Sequence, residues 1–244
     1  MHSTSRIDIV LPVYHENLLT LKKNVPLLIK ILDKKLTGYA WKIVIAINGI
    51  HANEIIALST ALVQTFPERV EYVYVPFSGK GWGVIYAWQK SNANVRAFMD
   101  VDLATDPKDI DQLIFPILKN EADIVIGSRH LPASILQRSW PRRIVSTIYN
   151  HLFVPVFLGC PLRDLQCGFK AVNRKFVEEI LPLVKDREWF FETELLYIAY
   201  KKKFNIKEIP VEWVEGETSG LYLKKVIPQF IKKLFELKCR KIIL

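Results

Sequence analysis

The chain has 244 residues, of which 50% are hydrophobic and 24% charged, with a formal net charge of +9. This is globular composition with enough apolar surface for a core, and the length admits one large α/β domain or two small ones. Tyr222 to Leu244 holds seven basic residues and one acid, +6 of the +9, which argues against a protein-wide nucleic-acid face and for a local anionic partner.

Ile7 to Val13 is apolar apart from Asp8 and Pro12 and reads as a central parallel strand. It runs into Tyr14-His15-Glu16-Asn17, where Asn17 is placed to cap a helix from Leu18 to Leu36. Ile43 to Ile47 reads as a second strand closing at Asn48-Gly49, Glu54 to Phe66 as a helix, and Val70 to Val75 as a third strand. Ser78-Gly79-Lys80-Gly81-Trp82-Gly83 is a glycine-rich loop followed by a helix to Lys90. It lacks the Gly-Lys-Ser/Thr of a Walker loop, which leaves a loose phosphate contact at Lys80 or a plain turn. Val95 to Met99 is a further strand, and strand–helix alternation from 7 to 120 marks a parallel sheet built by crossovers.

Beyond it, Ala122 to Ile126 reads as a strand ending at Gly127-Ser128-Arg129, and Pro141 to Leu158 as a helix. A short strand then runs to Val172, with helices over Lys175–Val184 and Thr193–Phe204 and a strand over Ile206–Trp213. In the tail, Leu223, Val226, Ile227, Phe230, Ile231 and Leu234 recur at helical spacing with lysines between them. A basic amphipathic helix of this kind lies on an anionic membrane surface or packs on the domain with a solvated basic face. The expected organisation is one domain over 1–220 and a basic tail over 221–244. Three cysteines without metal-type spacing suggest a reducing, cytoplasmic compartment, and no apolar run reaches transmembrane length.

The chemistry concentrates at Asp100-Val101-Asp102. On an extended chain, residues i and i+2 point the same way, so two carboxylates stand side by side just past a strand. They repel unless a cation or a proton lies between them, and Mg²⁺ or Mn²⁺ suits hard oxygen ligands and substrate phosphates. The alternative is a solvated Asp-x-Asp that helps cap the helix at Pro107. Parallel strands ending at Pro12–Glu16, Asn48-Gly49 and Asp100–Asp102 put all three ends on one edge. A Tyr for stacking, an Asn for a base edge and a metal pair suit a nucleotide diphosphate. Arg129, ending the next strand, adds a donor for phosphate oxygens.

In this order, Val10-Leu11-Pro12-Val13-Tyr14-His15-Glu16, Met99 to Asp106, Gly127-Ser128-Arg129, Arg163 to Lys170, Trp189 to Leu196 and Pro210 to Trp213 resemble the family 2 glycosyltransferases. The similarity is greatest to the dolichyl-phosphate mannose and glucose synthase branch. The resemblance implies a GT-A fold: a Rossmann-like, mostly parallel α/β sheet flanked by helices, here with the basic amphipathic C-terminal helix. It implies that Pro12, Tyr14 and Glu16 border the base and ribose, with Asn48, Lys80 and Val101 on the same donor side. Asp100 and Asp102 hold the divalent metal, Arg129 and Arg143 bind phosphate, and Asp164 and Gln166 shape the acceptor side. Asp102, Arg129, Glu192 and Glu194 are the catalytic candidates. The implied reaction is inverting transfer of one hexose, mannose or glucose, from a UDP- or GDP-sugar to a polyprenyl phosphate at the cytoplasmic membrane face.

The pattern departs from the family at Asn48, where an acid is usual, and at Ala104, where some members carry a third metal ligand. Two further readings are transfer to a saccharide or other soluble acceptor and a weakly catalytic nucleotide-sugar-binding, membrane-docking module. The Gln-x-x-Arg-Trp motif of processive polysaccharide synthases is absent from the sequence.

Overall fold

The computed structural model describes residues 5–137, 140, 144, 147–215 and 223–240. Its main sheet has seven strands: β1 (Arg6–Val13), β2 (Ala40–Asn48), β3 (Val70–Val75), β4 (Val95–Met99), β5 (Ile124–Ser128), β7 (Phe169–Asn173) and β8 (Ile206–Pro210). Their order is β3-β2-β1-β4-β7-β5-β8. β1 pairs in parallel with β2 and β4, and β5 with β8, whereas β7 is antiparallel to both β4 and β5. β7 alone therefore runs against the other six. A second sheet pairs β6 (Ile135–Gln137) with β9 (Glu212–Val214).

The strands are near-continuous apolar runs because both faces are covered. Ile7, Ile9, Leu11 and Val13 of β1 enter one core layer with Leu21, Val25, Leu28 and Leu32 of α1 (Leu18–Lys35). That layer also takes Ile55 and Leu62 of α2 (Asn53–Thr65) and Leu113 and Ile117 of α4 (Ile110–Leu118). Val10, Val44 and Phe98 enter the opposite layer with Val84 and Trp88 of α3 (Lys80–Lys90). Joining them are Leu158 of α5 (Val154–Leu158), Phe176 of α6 (Arg174–Glu179) and Leu195 of α7 (Phe191–Lys201).

Several expected elements differ in detail. Lys175–Val184 is not one helix: α6 stops and a 3₁₀ turn follows at Leu181–Leu183, because Pro182 has no N–H to continue the ladder. Ile206–Trp213 is two strands in two sheets, parting at Val211 after Pro210. Within the helix expected over 141–158, Ile144, Thr147 and Ile148 are α-helical, and a π-helical turn at Tyr149–Phe153 runs into α5. The boundary expected at 220/221 lies outside the described residues.

The tail forms α8 (Leu223–Cys239), and it packs on the domain. Leu234 and Leu237 are buried in the second core layer, and Phe230 meets Phe190 at 5.4 Å and Tyr149 at 5.7 Å between ring centroids. Lys233 pairs with Asp186 at 2.5 Å. Arg240 bonds the Glu194 carboxylate and the Leu183 carbonyl. Phe230, Leu234 and Leu237 of the tail are thus turned inward, while Phe235 is exposed.

Candidate active site

Strand order reverses at β1 and β4, the position where open α/β sheets bind ligands beyond their carboxyl ends. β1 and β4 lie side by side in parallel, so Tyr14 and Asp100 emerge on that same edge. β7 runs the other way, with Met99 opposite Phe169, and so brings Cys167-Gly168 to the edge from a loop. The end of β5 delivers Arg129 to it.

Pro12 is buried in β1, while Tyr14, His15 and Glu16 are exposed beyond it. Asn17 stands at the N-cap of α1 as expected, but its side chain makes no capping hydrogen bond there. Its Oδ1 accepts from the Tyr14 amide at 3.0 Å and its own amide donates to the Tyr14 carbonyl at 2.9 Å, fixing the turn that presents Tyr14. The Tyr14 hydroxyl has a raised pKa, first through burial and then through the Glu16 and Asp102 carboxylates. Asn48 is buried, donating to the Val13 carbonyl at 2.9 Å and accepting from the Gly79 amide at 3.2 Å. Its amide ties the ends of β1 and β2 to the glycine-rich stretch. In that stretch the helix begins at Lys80, and a Cβ on Gly81 would lie 2.8 Å from the Arg187 carbonyl oxygen. Close packing on Arg187 therefore accounts for glycine at 81.

β4 ends at Met99, and Asp100 to Leu103 is a turn closed by the Leu103 amide on the Asp100 carbonyl at 3.1 Å. Leu103 takes φ +55°. The two aspartates are gathered by this turn rather than by extended alternation, and Asp102 lies close enough to raise the pKa of Asp100. Burial is the main cause of that rise, and Lys80 opposes it. Helix capping at Pro107 falls to Asp106, whose carboxylate accepts from the Lys108 amide at 2.9 Å. The following backbone is fixed to β9 by Val214 N–H to Ala104 O at 2.8 Å and Asp106 N–H to Glu212 O at 2.9 Å. Val101 is buried, and its carbonyl accepts from Asn24 at 2.9 Å.

Behind Asp100 lies a chain of alternating charges. Lys80 Nζ is 2.7 Å from Asp100 Oδ1 and 2.8 Å from Glu192 Oε1, and Lys170 bonds the other Glu192 oxygen. Burial alone would lower the Lys80 pKa, but Asp100 and Glu192 more than offset it and hold the ammonium well above its usual value. Burial likewise disfavours ionised Glu192, and Lys170 and Lys80 reverse this, so its pKa is lowered. A Cβ on Gly168 would stand 2.1 Å from Asp100 Oδ2; only glycine lets the β7 loop approach this carboxylate.

Arg129 is the other fixed cation. Its Nε is 2.7 Å and its Nη2 2.9 Å from the two oxygens of buried Asp164, and its backbone amide donates to the same carboxylate at 2.9 Å. Burial pushes Asp164 up, but Arg129 holds it well below the carboxylate range. Gln166 Nε2 donates to Thr193 Oγ1 at 2.5 Å, which also meets the Tyr149 hydroxyl at 2.9 Å. A cavity lined by Arg129, His130, Ser134 and Thr147 opens beside this group.

The structure thus gathers Tyr14, Glu16, Lys80, Asp100, Asp102 and Glu192 at one edge, with Arg129 and Asp164 adjoining. Glu194 is not among them. It leaves the opposite side of α7 and accepts from the Lys185 and Asp186 amides at 3.1 and 2.7 Å. Arg143 lies outside the described residues.

Residue pattern alone assigns no role to Lys170, Thr193, Tyr149 or Arg187. For Lys170 there was a signal: a lysine inside Phe169-Lys170-Ala171-Val172 is a charge in an apolar strand, which requires a buried partner.

Asp100 and Asp102 fit a divalent cation by donor chemistry, both being hard carboxylates at an open edge with Asp102 exposed. Among the described residues no cluster of three or more His, Cys, Asp or Glu side chains is placed to hold a metal, and Ala104 offers no ligand.

Residues 8–181 match the family described as Glycosyl transferase family 2. Glycosyltransferase AglD of Haloferax volcanii is 31% identical over 213 residues, covering 87% of this chain and 34% of that protein. A dolichyl-phosphate beta-glucosyltransferase of Dictyostelium discoideum is 30% identical over 226 residues, covering 88% of this chain and 68% of that one. The chain therefore spans about a third of the first relative and about two thirds of the second. Among solved structures, glucosyl-3-phosphoglycerate synthase of Mycobacterium tuberculosis with Mn²⁺, uridine diphosphate and phosphoglyceric acid superposes with a TM-score of 0.67. It is 16% identical, and the match covers 98% of this chain and 80% of that one; that likeness speaks to the fold.

Proposed function

The chain belongs to glycosyl transferase family 2, and from that premise we propose that it moves one hexose, glucose or mannose, from a UDP- or GDP-sugar to a polyprenyl phosphate. The observation carrying this is the Asp100–Asp102 turn at the switch-point edge, backed by the Lys80–Glu192–Lys170 chain. Relatives named for dolichyl-phosphate glucosylation support the acceptor class. On this reading Asp100 and Asp102 would hold Mg²⁺ or Mn²⁺, which would supply charge neutralisation for the nucleoside diphosphate leaving group.

Tyr14 and Glu16 border the base and ribose. Lys80 is fixed on Asp100 by Glu192, and Arg129 is aimed by Asp164 toward phosphate oxygens. A lipid phosphate is already an anionic nucleophile, so the reaction requires no strong general base. Glu192, kept ionised by two lysines, is suited to positioning Lys80 and poorly suited to taking a proton. The protein then works peripherally on the cytoplasmic membrane face, with the basic residues of 221–244 toward anionic lipid. No helix among the described residues is long and apolar enough to cross a membrane.

The test is a donor and acceptor screen with the full 244-residue chain. Mg²⁺ or Mn²⁺, UDP- or GDP-hexoses and polyprenyl phosphate are supplied together, with soluble saccharides and phosphates as competing acceptors. Lipid-linked hexose is the expected product. Glycosylation of a soluble acceptor alone, or donor binding without transfer, overturns the proposal.

A further inference from the structure

Trp140, Ile144, Ile148, Leu152 and Val156 follow one another at four-residue intervals, and all five are exposed: 74%, 47%, 42%, 55% and 65%. Single exposed apolar residues are ordinary. Five in an i, i+4 series, each itself in helical backbone, form a ridge, and contiguous exposed apolar surface marks an interaction site. A four-residue repeat drifts round a 3.6-residue helix. The wider π-helical turn at Tyr149–Phe153 counters that drift midway and helps keep the later members on one side.

The ridge continues onto α8. Phe157 stacks on Phe153 at 5.8 Å and meets Phe235 at 5.4 Å between centroids, and Phe235 is 54% exposed. Lys238 Nζ lies 5.9 Å from the Phe157 ring centroid, and Lys232 and Lys238 are exposed on α8. The segment that carries the ridge is basic in sequence, and on α8 one acid, Glu236, pairs with Lys232 at 3.8 Å. Residues 124–163 contain five arginines (Arg129, Arg138, Arg142, Arg143 and Arg163) and no Asp or Glu. Apolar side chains in a basic setting, with a Trp at one end, are complementary to an anionic bilayer surface. Of the tail helix, Leu234 and Leu237 are buried in the domain, and Phe235 joins the ridge.

We propose that the ridge Trp140–Ile144–Ile148–Leu152–Val156 is the face by which this protein docks on anionic lipid, with the lysines of α8 at its rim. The tail acts through its charge and Phe235, while Leu234 and Leu237 hold it to the domain. The proposal refines the membrane partner of the preceding section and is independent of the sugar and acceptor used.

Docking is read by co-sedimentation of the full chain with phosphatidylcholine vesicles, with and without phosphatidylglycerol, in the absence of donor and acceptor. The wild type should bind the anionic vesicles and release in high salt. Leu152→Ser with Val156→Ser should weaken binding by about tenfold or more, without altering the melting temperature, since both side chains are exposed. Leu19→Ser, which removes an exposed apolar residue on α1, should leave binding unchanged. Transfer to acceptor dispersed in detergent should also be unchanged in the Leu152/Val156 variant. That assay separates failure of docking from failure of the catalytic reading. Unchanged vesicle binding in the ridge variant overturns the proposal, as does equal loss in Leu19→Ser. So does a ridge variant that dissociates a wild-type dimer in sedimentation while still binding vesicles, which would make the ridge a contact between copies of the chain.

Discussion

At the scale of single residues, the site is a set of charges that are stable only together. Asp102 is exposed and belongs to the proposed metal pair, so Asp102→Asn should abolish Mn²⁺-dependent transfer while the melting temperature stays put. Wild-type turnover in excess chelator would remove the metal from the reaction. Lys170 is fully buried against Glu192. Removing one member of a buried pair leaves an uncompensated charge, at a cost of about 3–5 kcal/mol. Lys170→Met should therefore lower the urea unfolding free energy by about that amount, and adding Glu192→Gln should recover part of it; a neutral single variant would contradict the arrangement. Asp164 and Glu192 have folded pKa values below their ordinary 3.8 and 4.5. A depressed folded value means stability that is full above the unfolded pKa and lost as pH falls below it. The urea midpoint should hold near neutrality and drop from about pH 4 downward. Asp164→Asn should flatten that drop while lowering stability at pH 7, because Arg129 then faces a neutral partner.

At the scale of elements, close approach explains what composition leaves open. The β7 loop reaches Asp100 only through Gly168, so Gly168→Ala should displace that carboxylate. The expected result is loss of Mn²⁺ affinity and activity with little change in far-UV circular dichroism; normal metal binding in this variant would show that the loop yields. α8 is held by burial: Leu234 is fully buried, and Leu234→Ala should destabilise the chain by about 2–5 kcal/mol in urea unfolding. A change near zero would mean that the helix docks only through Lys233 and Arg240. The strands were legible in the sequence because a strand covered on both faces is a plain apolar run, and the helices because their apolar positions recur at 3.6-residue spacing. Where proline interrupts, at Pro182 and Pro210, the sequence carried the signal and the simple run-length reading overrode it.

At the scale of the whole molecule, two core layers share one sheet, and α8 belongs to the second of them. Tail and domain should therefore unfold together. Tryptophan fluorescence and far-UV circular dichroism should give coincident urea transitions; an early transition reporting only helix loss would separate the tail from the domain. The net charge of +9 likewise has a place in the chain: part belongs to the tail, and part to the acid-free segment 124–163 in which the apolar ridge falls. The charge of both segments is legible in the sequence, whereas the exposed apolar ridge is not, because exposure is not a property of sequence.

The sequence by itself determined the alternation of strand and helix, the metal-type pair at the end of β4 and the family motifs in order, since each is a local pattern of residue type and spacing. Only the tertiary structure decided what those residues touch. The reversed β7 brought Gly168 to Asp100 and Lys170 to Glu192, the helical turn between Glu192 and Glu194 sent one toward the site and the other toward Arg240, and α8 buried Leu234 and Leu237 in the domain. Each depends on contacts between residues distant in the chain, which local pattern does not encode. For the Asp100–Asp102 pair, the sequence supplied the carboxylates, and the fold supplied the turn that gathers them and the lysine that holds one of them.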